Sequence, residues 1–180
     1  MIILSLKKIK TISIFGIFLL CFLTHFDFSI FPNFVTSIFF PVNESIFEHL
    51  KMLVSSIYLW SLFEFYLLKK YKIIYSNFIF QTFIMSFIGC FFFLIIYLPL
   101  FIALSHNFIV DIICLFITIY FVNVIGFYIL NSSNYHLNNI GIVCSFLLYC
   151  AFAYFTYFPI HNFLFYDFST SKYGINFLPK

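Results

Sequence analysis

Charge is what this sequence has least of: 8% of its 180 residues are Asp, Glu, Lys or Arg, against about 25% in an ordinary soluble domain. With 64% of the chain apolar, that scarcity excludes a water-facing fold, which has too little interior to hide so much hydrocarbon. Arginine is missing altogether, and alanine occurs only at Ala103, Ala151 and Ala153. Beside 32 Phe and 13 Tyr, this resembles the amino-acid usage of an AT-rich genome. A base-stacking surface would need a cationic groove next to its aromatics, and the lysines fall instead into two clusters. Nucleic acid is therefore excluded as an expected partner.

Paired metal-site cysteines are lacking too. Cys21, Cys90, Cys114, Cys144 and Cys150 lie within apolar runs without C-x-x-C spacing, so they read as small buried hydrophobes. There is no G-x-x-x-G pattern, Walker loop, H-E-x-x-H, nucleophile elbow or Ser-Lys pair. Small residues in an A-x-A-like arrangement are absent after the first apolar run, which ends Leu23-Thr24-His25-Phe26. That run is expected to be an uncleaved span.

What is there is hydrophobic length. One crossing of the hydrocarbon core takes about 20 apolar residues, and runs of that kind occur near Ile9 to Phe26, Leu50 to Leu68, Ile74 to Pro99, Phe108 to Leu130 and Ile140 to Phe158. The expected fold is all-α: one transmembrane domain, an integral membrane helical bundle of about five transmembrane helices in contact with the lipid bilayer. Between the first two spans, Phe28 to Phe40 is bounded by Pro32 and Pro41 and too short to cross and return, so it is expected to be re-entrant or in-plane. Lys7, Lys8 and Lys10 precede span one, and Lys69, Lys70 and Lys72 follow span two. By the positive-inside rule the amino terminus is expected in the cytoplasm and the carboxyl terminus outside, in a plasma or inner membrane.

This topology sorts the remaining ionisable groups. His25, Asp27, Glu44, Glu48, His49, His106, Asp111, His161 and Asp167 gather at the end opposite the lysine clusters, leaving Glu64 and His136 at the lysine end. Ionisable groups near membrane depth pair, face the bundle interior or mark a functional path, and histidines with carboxylates are what a divalent metal site uses. Asp111, about one turn inside span four, needs a partner, for which His106, His49 and Lys51 are the candidates. In the segment Pro41-Val42-Asn43-Glu44-Ser45-Ile46-Phe47-Glu48-His49-Leu50-Lys51, helical spacing places Glu44, Glu48 and Lys51 on one face, with His49 about 100° away from Glu48. Ser45 and Glu48 have capping-box spacing, and Pro159 is expected to end the last helix near Phe158.

The same segment, with His25 and the ending Pro159-Ile160-His161 through Lys172-Tyr173-Gly174-Ile175, resembles a family of small bacterial multi-pass membrane proteins of unknown function. The resemblance rests on a P-V-N-E-S-x-x-E-H-x-K string and covers essentially the whole chain. It implies a membrane setting and no activity. From the residues themselves, the leading expectation is a metal-dependent hydrolase at the outer leaflet. His25, His49 and His161 are its candidate metal ligands, a divalent ion such as zinc its cofactor, and Glu44, Glu48 and Asp111 its candidate catalytic carboxylates. Two other readings stay open: an accessory or structural subunit that binds a protein partner, and a small cation transporter whose acidic mouth is Glu44, Glu48 and Asp111.

Overall fold

A computed structural model describes residues 5–104 and 107–175. The chain runs α1 (Leu6–Thr24), α2 (Asp27–Ile30), α3 (Phe34–Phe39), α4 (Ile46–Lys70), α5 (Phe78–Leu104), α6 (Phe108–Leu130) and α7 (Asn138–Tyr157), then a two-stranded hairpin of β1 (Tyr166–Asp167) and β2 (Lys172–Tyr173). Five helices are long and apolar enough to cross a membrane, the first extending with α2 as Leu6–Ile30. The stretch between spans one and two forms α2 and α3, of 4 and 6 residues, too short to cross. Asn33, just after Pro32, closes a capping box with Thr36 and starts α3.

Hydrocarbon offers a backbone no water, so each span must satisfy its own peptide groups. The polar side chains within the spans follow the same rule by bonding back to the preceding turn. Ser13 donates to the Ile9 carbonyl, Thr82 to Phe78, Ser86 to Thr82, Thr118 to Cys114 and Ser145 to Gly141. Helix starts are capped by Ser5, Ser45 and Asn107, and α4 ends on Lys69 and Lys70, where cations complement the helix dipole.

The helix α4 is central, packing against α1, α5 and α3, while α5 carries α6 and α7 on its other sides. Leu53, Val54 and Ile57 of α4 meet Ile17, Met85, Ile119 and Val122 in the main core. Lipid tails are as apolar as these side chains, so helix association depends on close fit and on polar contacts rather than on hydrophobic burial. Fit is visible at two glycines. A Cβ on Gly16 would sit 2.1 Å from the Trp60 ring, and one on Gly141 would sit 2.7 Å from the Phe80 backbone.

Polar contact is visible at two buried ion pairs, one toward each end of α4. Lys10 was counted from the sequence among the exposed lysines, but it is only 4% exposed and its ammonium lies 3.1 and 3.2 Å from the Glu64 carboxylate. Ser13 donates to the same carboxylate at 2.8 Å. The exposed lysines at that end are Lys7, Lys8, Lys69, Lys70 and Lys72. At the other end Lys51 and Glu48 are 2.6 Å apart and almost fully buried.

Two boundaries differ from expectation. Residues 74–77 are not helical, because Ser76 and Asn77 bond instead to Leu130 and Ser133 beyond the end of α6. Pro99 does not end α5, which continues to Leu104. A proline removes one helical hydrogen bond, a loss that spans packed against neighbours tolerate.

Replacing Glu64 by Leu leaves the Lys10 ammonium uncompensated and should cost about 3–5 kcal/mol, whereas the double change Lys10→Met with Glu64→Leu should recover most of it. Unfolding midpoints in detergent check this as a double-mutant cycle. Gly141→Leu should lower the midpoint as well, by forcing α7 off the α5 backbone.

Candidate metal centre

Three side chains from separate pieces of chain converge at the end of the bundle opposite Lys7, Lys8, Lys69, Lys70 and Lys72. His25 is the C-cap of α1, its N–H bonded to the Cys21 carbonyl. His49 lies in the first turn of α4, and Glu44 in the bend just before that helix. The expected shared helical face of Glu44, Glu48 and Lys51 does not form, because α4 starts at Ile46 and Glu44 precedes it. The bend is held rigidly: Ser45 N–H donates to Asn43 Oδ1 at 2.9 Å, Asn43 Nδ2 donates to the Gly174 carbonyl at 2.9 Å, and Val42 N–H donates to Glu48 Oε2 at 3.0 Å. Ser45 Oγ accepts from Glu48 N–H, which is half of a capping box. The Glu48 carboxylate turns to Val42 and Lys51 rather than completing it.

The converging atoms form a nearly equilateral triangle. His25 Nε2 and His49 Nε2 are 3.3 Å apart, and Glu44 Oε2 is 3.4 Å from the first and 3.5 Å from the second. Bonds of about 2.0–2.1 Å in a tetrahedron put neighbouring ligand atoms about 3.3–3.4 Å apart. The edges thus match those that three ligands of a tetrahedral zinc ion would make, and His25, Glu44 and His49 would be the residues to hold such an ion. These are the three His, Cys, Asp or Glu residues whose donor atoms group closely enough for a metal among the described residues.

The tautomers agree with this geometry. His49 Nδ1 lies 2.9 Å from the Ser45 carbonyl, a bond that a protonated Nδ1 makes and that in the neutral ring leaves Nε2 as the nitrogen with a free lone pair. Histidine ligands commonly donate their other ring N–H in this way. His25 Nδ1 is buried without a hydrogen-bond partner among the described residues. Two ring nitrogens and a carboxylate this close can share a proton, as in the hydrogen bond between His25 and Glu44, or could share a metal ion in its place. Glu44 is suited to either, since its hydrogen bond with His25 holds its pKa below the usual 4.5, against the opposing effect of partial burial. It is a carboxylate at neutral pH.

The triangle opens on a cavity with two lobes. One, of about 260 Å³, runs between α1 and α6 and is lined by Cys21, Phe22, Phe26, Phe108, Ile112 and Leu115 beside the triangle. The other, of about 320 Å³, lies between α5 and the carboxyl-terminal hairpin and is lined by Tyr97, Phe101, Phe168 and Ser169. Glu44, His49, Phe93 and Asp111 line both. Asp111 interacts with the Tyr97 hydroxyl. Of its suggested partners, His49 lines the same lobes as Asp111, Lys51 is taken by Glu48, and His106 lies outside the described residues.

Of the residues put forward from the sequence, His25, Glu44, His49 and Asp111 thus share one cavity. Glu48 does not line it; its carboxylate accepts from Lys51, Val42 N–H and Thr156 Oγ1, the last at 2.8 Å. His161 is exposed and stacked on Tyr173, ring centroids 4.6 Å apart. Asp167 is also occupied. Burial would raise its pKa, but bonds from the Ser169 and Thr170 hydroxyls and amides hold it below the ordinary 3.8.

Across residues 1–175 the sequence fits a single family model. The chain belongs to DUF6512, a family of unknown function. No curated protein and no solved structure matches it. The cavity of this DUF6512 member therefore has to be read from its own chemistry. Sequence reasoning did not pick out Tyr97, Phe168 or Ser169. Tyr97 sits two residues before Pro99 in an aromatic-rich run that gave it no distinction, and the hairpin reaches the cavity only through the fold.

Detergent-purified protein prepared without chelator should carry close to one equivalent of a divalent transition metal. His25→Ala, His49→Ala and Glu44→Gln should each lose it, while His161→Ala should keep it. Elemental mass spectrometry with a folding check by size exclusion reads the result, and a metal-free, folded wild type would show that the shared cation is a proton.

Proposed function

We propose that this multi-pass membrane protein is a metal-dependent hydrolase whose divalent ion, such as zinc, is held by His25, Glu44 and His49. The observation that carries the proposal is the triangle of donors with edges of 3.3–3.5 Å, open on a cavity that also holds Asp111. An ion in that position would polarise a substrate carbonyl and lower the pKa of a coordinated water, which is the chemistry a three-ligand zinc site supplies.

The residues then divide the work. Glu44, expected from the sequence as a base, is assigned as a ligand, because its carboxylate is one corner of the triangle. Asp111 is assigned as the general base, since it is the other carboxylate facing both lobes. For a carboxylic ester or amide, the water oxygen bonds to the carbonyl carbon and Asp111 takes the released proton. Asp111 then returns it to the leaving oxygen or nitrogen as the C–O or C–N bond breaks. Tyr97 is a positioning residue that holds Asp111 through its hydroxyl.

The proposed setting is a plasma or inner membrane with the amino terminus in the cytoplasm and the metal at the outer leaflet. Lys7, Lys8, Lys69, Lys70 and Lys72, exposed at the other end, support that orientation.

In reconstituted protein, Asp111→Asn should reduce turnover of acyl ester amphiphiles by about 10²–10⁴-fold with the metal content unchanged. Glu44→Gln should abolish both. Turnover indifferent to Asp111→Asn and to chelation would overturn the assignment.

A further inference from the structure

The cavity has a shape that its chemistry alone does not require, and the shape bears on the substrate of the proposed reaction. Apart from the triangle and Asp111, the lobe between α1 and α6 is lined by carbon and sulfur. Its outer wall is not covered by protein: Phe22, Phe26 and Phe108, from the two helices that flank it, are 37%, 56% and 66% exposed. These rings belong to the belt of apolar side chains that spans this long present to lipid. In the proposed membrane setting, this exposed wall would face the bilayer. The second lobe is lined by Phe168 and Ser169 of the hairpin, with Phe168 packed on Phe101 at 5.5 Å between ring centroids.

The electrostatics of the second lobe narrow what it accepts. Among the described residues no lysine lines either lobe, and Lys51 is consumed by Glu48. Glu44 and Asp111 face the cavity, and Asp167 stands close enough to oppose the ionisation of Glu44. A divalent ion balances the two carboxylates and leaves no surplus positive charge. Phosphate and sulfate groups are recognised above all by arginine and lysine; the sequence has no arginine, and neither lobe has a lysine among the described residues lining it.

Resting on the hydrolase reading, we infer that the substrate is a single-chain amphiphile resident in the membrane. Its hydrocarbon chain enters between α1 and α6, and its uncharged or cationic headgroup lies under the hairpin, so that the bond between chain and head falls at the metal triangle. Pocket-lining apolar side chains contribute affinity, and a few polar groups fix orientation.

Photo-crosslinking in nanodiscs tests this without relying on turnover. The probes are a monoacylglycerol with a diazirine midway along its chain and a lysophosphatidic acid with the same chain. The neutral probe should give adducts concentrated at Cys21, Phe22 and the 108–115 turn of α6, and the anionic probe at least about tenfold fewer. Leu115→Trp, which fills the lobe, should remove those adducts while the metal content stays unchanged. Ile112→Trp, at a less buried position, should do the same if Leu115→Trp does not fold. Adducts spread evenly over lipid-facing rings such as Phe15 and Phe146, or equal labelling by the anionic probe, would overturn the inference. Labelling of the lobe in protein that shows no turnover when metal-loaded would uphold the chain site and sink the hydrolase reading instead.

Discussion

The buried pair of Glu48 and Lys51 is the contact on which the end of the molecule that carries the candidate metal centre depends. Placing two charges at membrane depth is costly unless each is fully answered by its neighbours. Here the Lys51 ammonium also donates to the Ser37 carbonyl of α3 at 2.8 Å and to Thr156 of α7 at 2.9 Å, and Glu48 accepts from Val42 and Thr156. One ion pair on α4 thereby fixes the short helix α3, the last span and the bend that precedes α4. Ser37 extends the network through the Tyr157 hydroxyl at 2.7 Å. Because the bend is tied down at Val42, Glu44 projects from it in a fixed direction, and that direction is toward His25 and His49.

The pair of Lys10 and Glu64 plays the matching part toward the far end of α4, joining it to α1 beside the α5 side chains Gln81 and Met85. In a soluble protein such pairs are weak arguments for stability, since hydrophobic replacements often do as well. In lipid the balance differs. No hydrophobic force distinguishes the correct packing of Leu53 or Ile57 from contact with an acyl chain, so specific polar contacts and close-fitting small residues carry the choice of neighbour. With one pair toward each end, α4 becomes a fixed post, and α1 is held against it at a register that brings the C-cap His25 level with the first turn of α4. The edges of the metal triangle depend on that register. A slip of one residue along α1 would move His25 by about 1.5 Å, enough to open the triangle beyond the reach of a single ion.

Several features of the fold could be read directly from residue order. The runs around Phe108 to Leu130 and Ile140 to Phe158 match α6 and α7 to within about two residues, because hydrophobic length decides what spans. The Pro32 to Pro41 stretch was too short to cross and does not cross. Elsewhere local rules were outweighed by tertiary partners. Residues 74–77 are apolar enough to extend α5, but the end of α6 offered Ser76 and Asn77 better hydrogen bonds. Lys10 looked like one more flanking cation because Glu64, its counterion, lies 54 positions away. His161 looked equivalent to His25 and His49 by its place near a span end, yet the chain after Pro159 carries it to Tyr173.

By itself the sequence determined that this is a helical membrane protein, roughly where its spans lie, and that most of its carboxylates and histidines fall near the same ends of those spans. Those properties depend on composition and on distances along the chain, and one dimension suffices to express them. Which of the titratable groups meet was decided only by the tertiary structure. The union of His25, Glu44 and His49 requires α2 and α3 to return the chain, the Glu48 and Lys51 pair to anchor the bend, and a helix start at Ile46 that leaves Glu44 outside. Each of these rests on a contact between residues distant in sequence, which spacing and propensity do not encode.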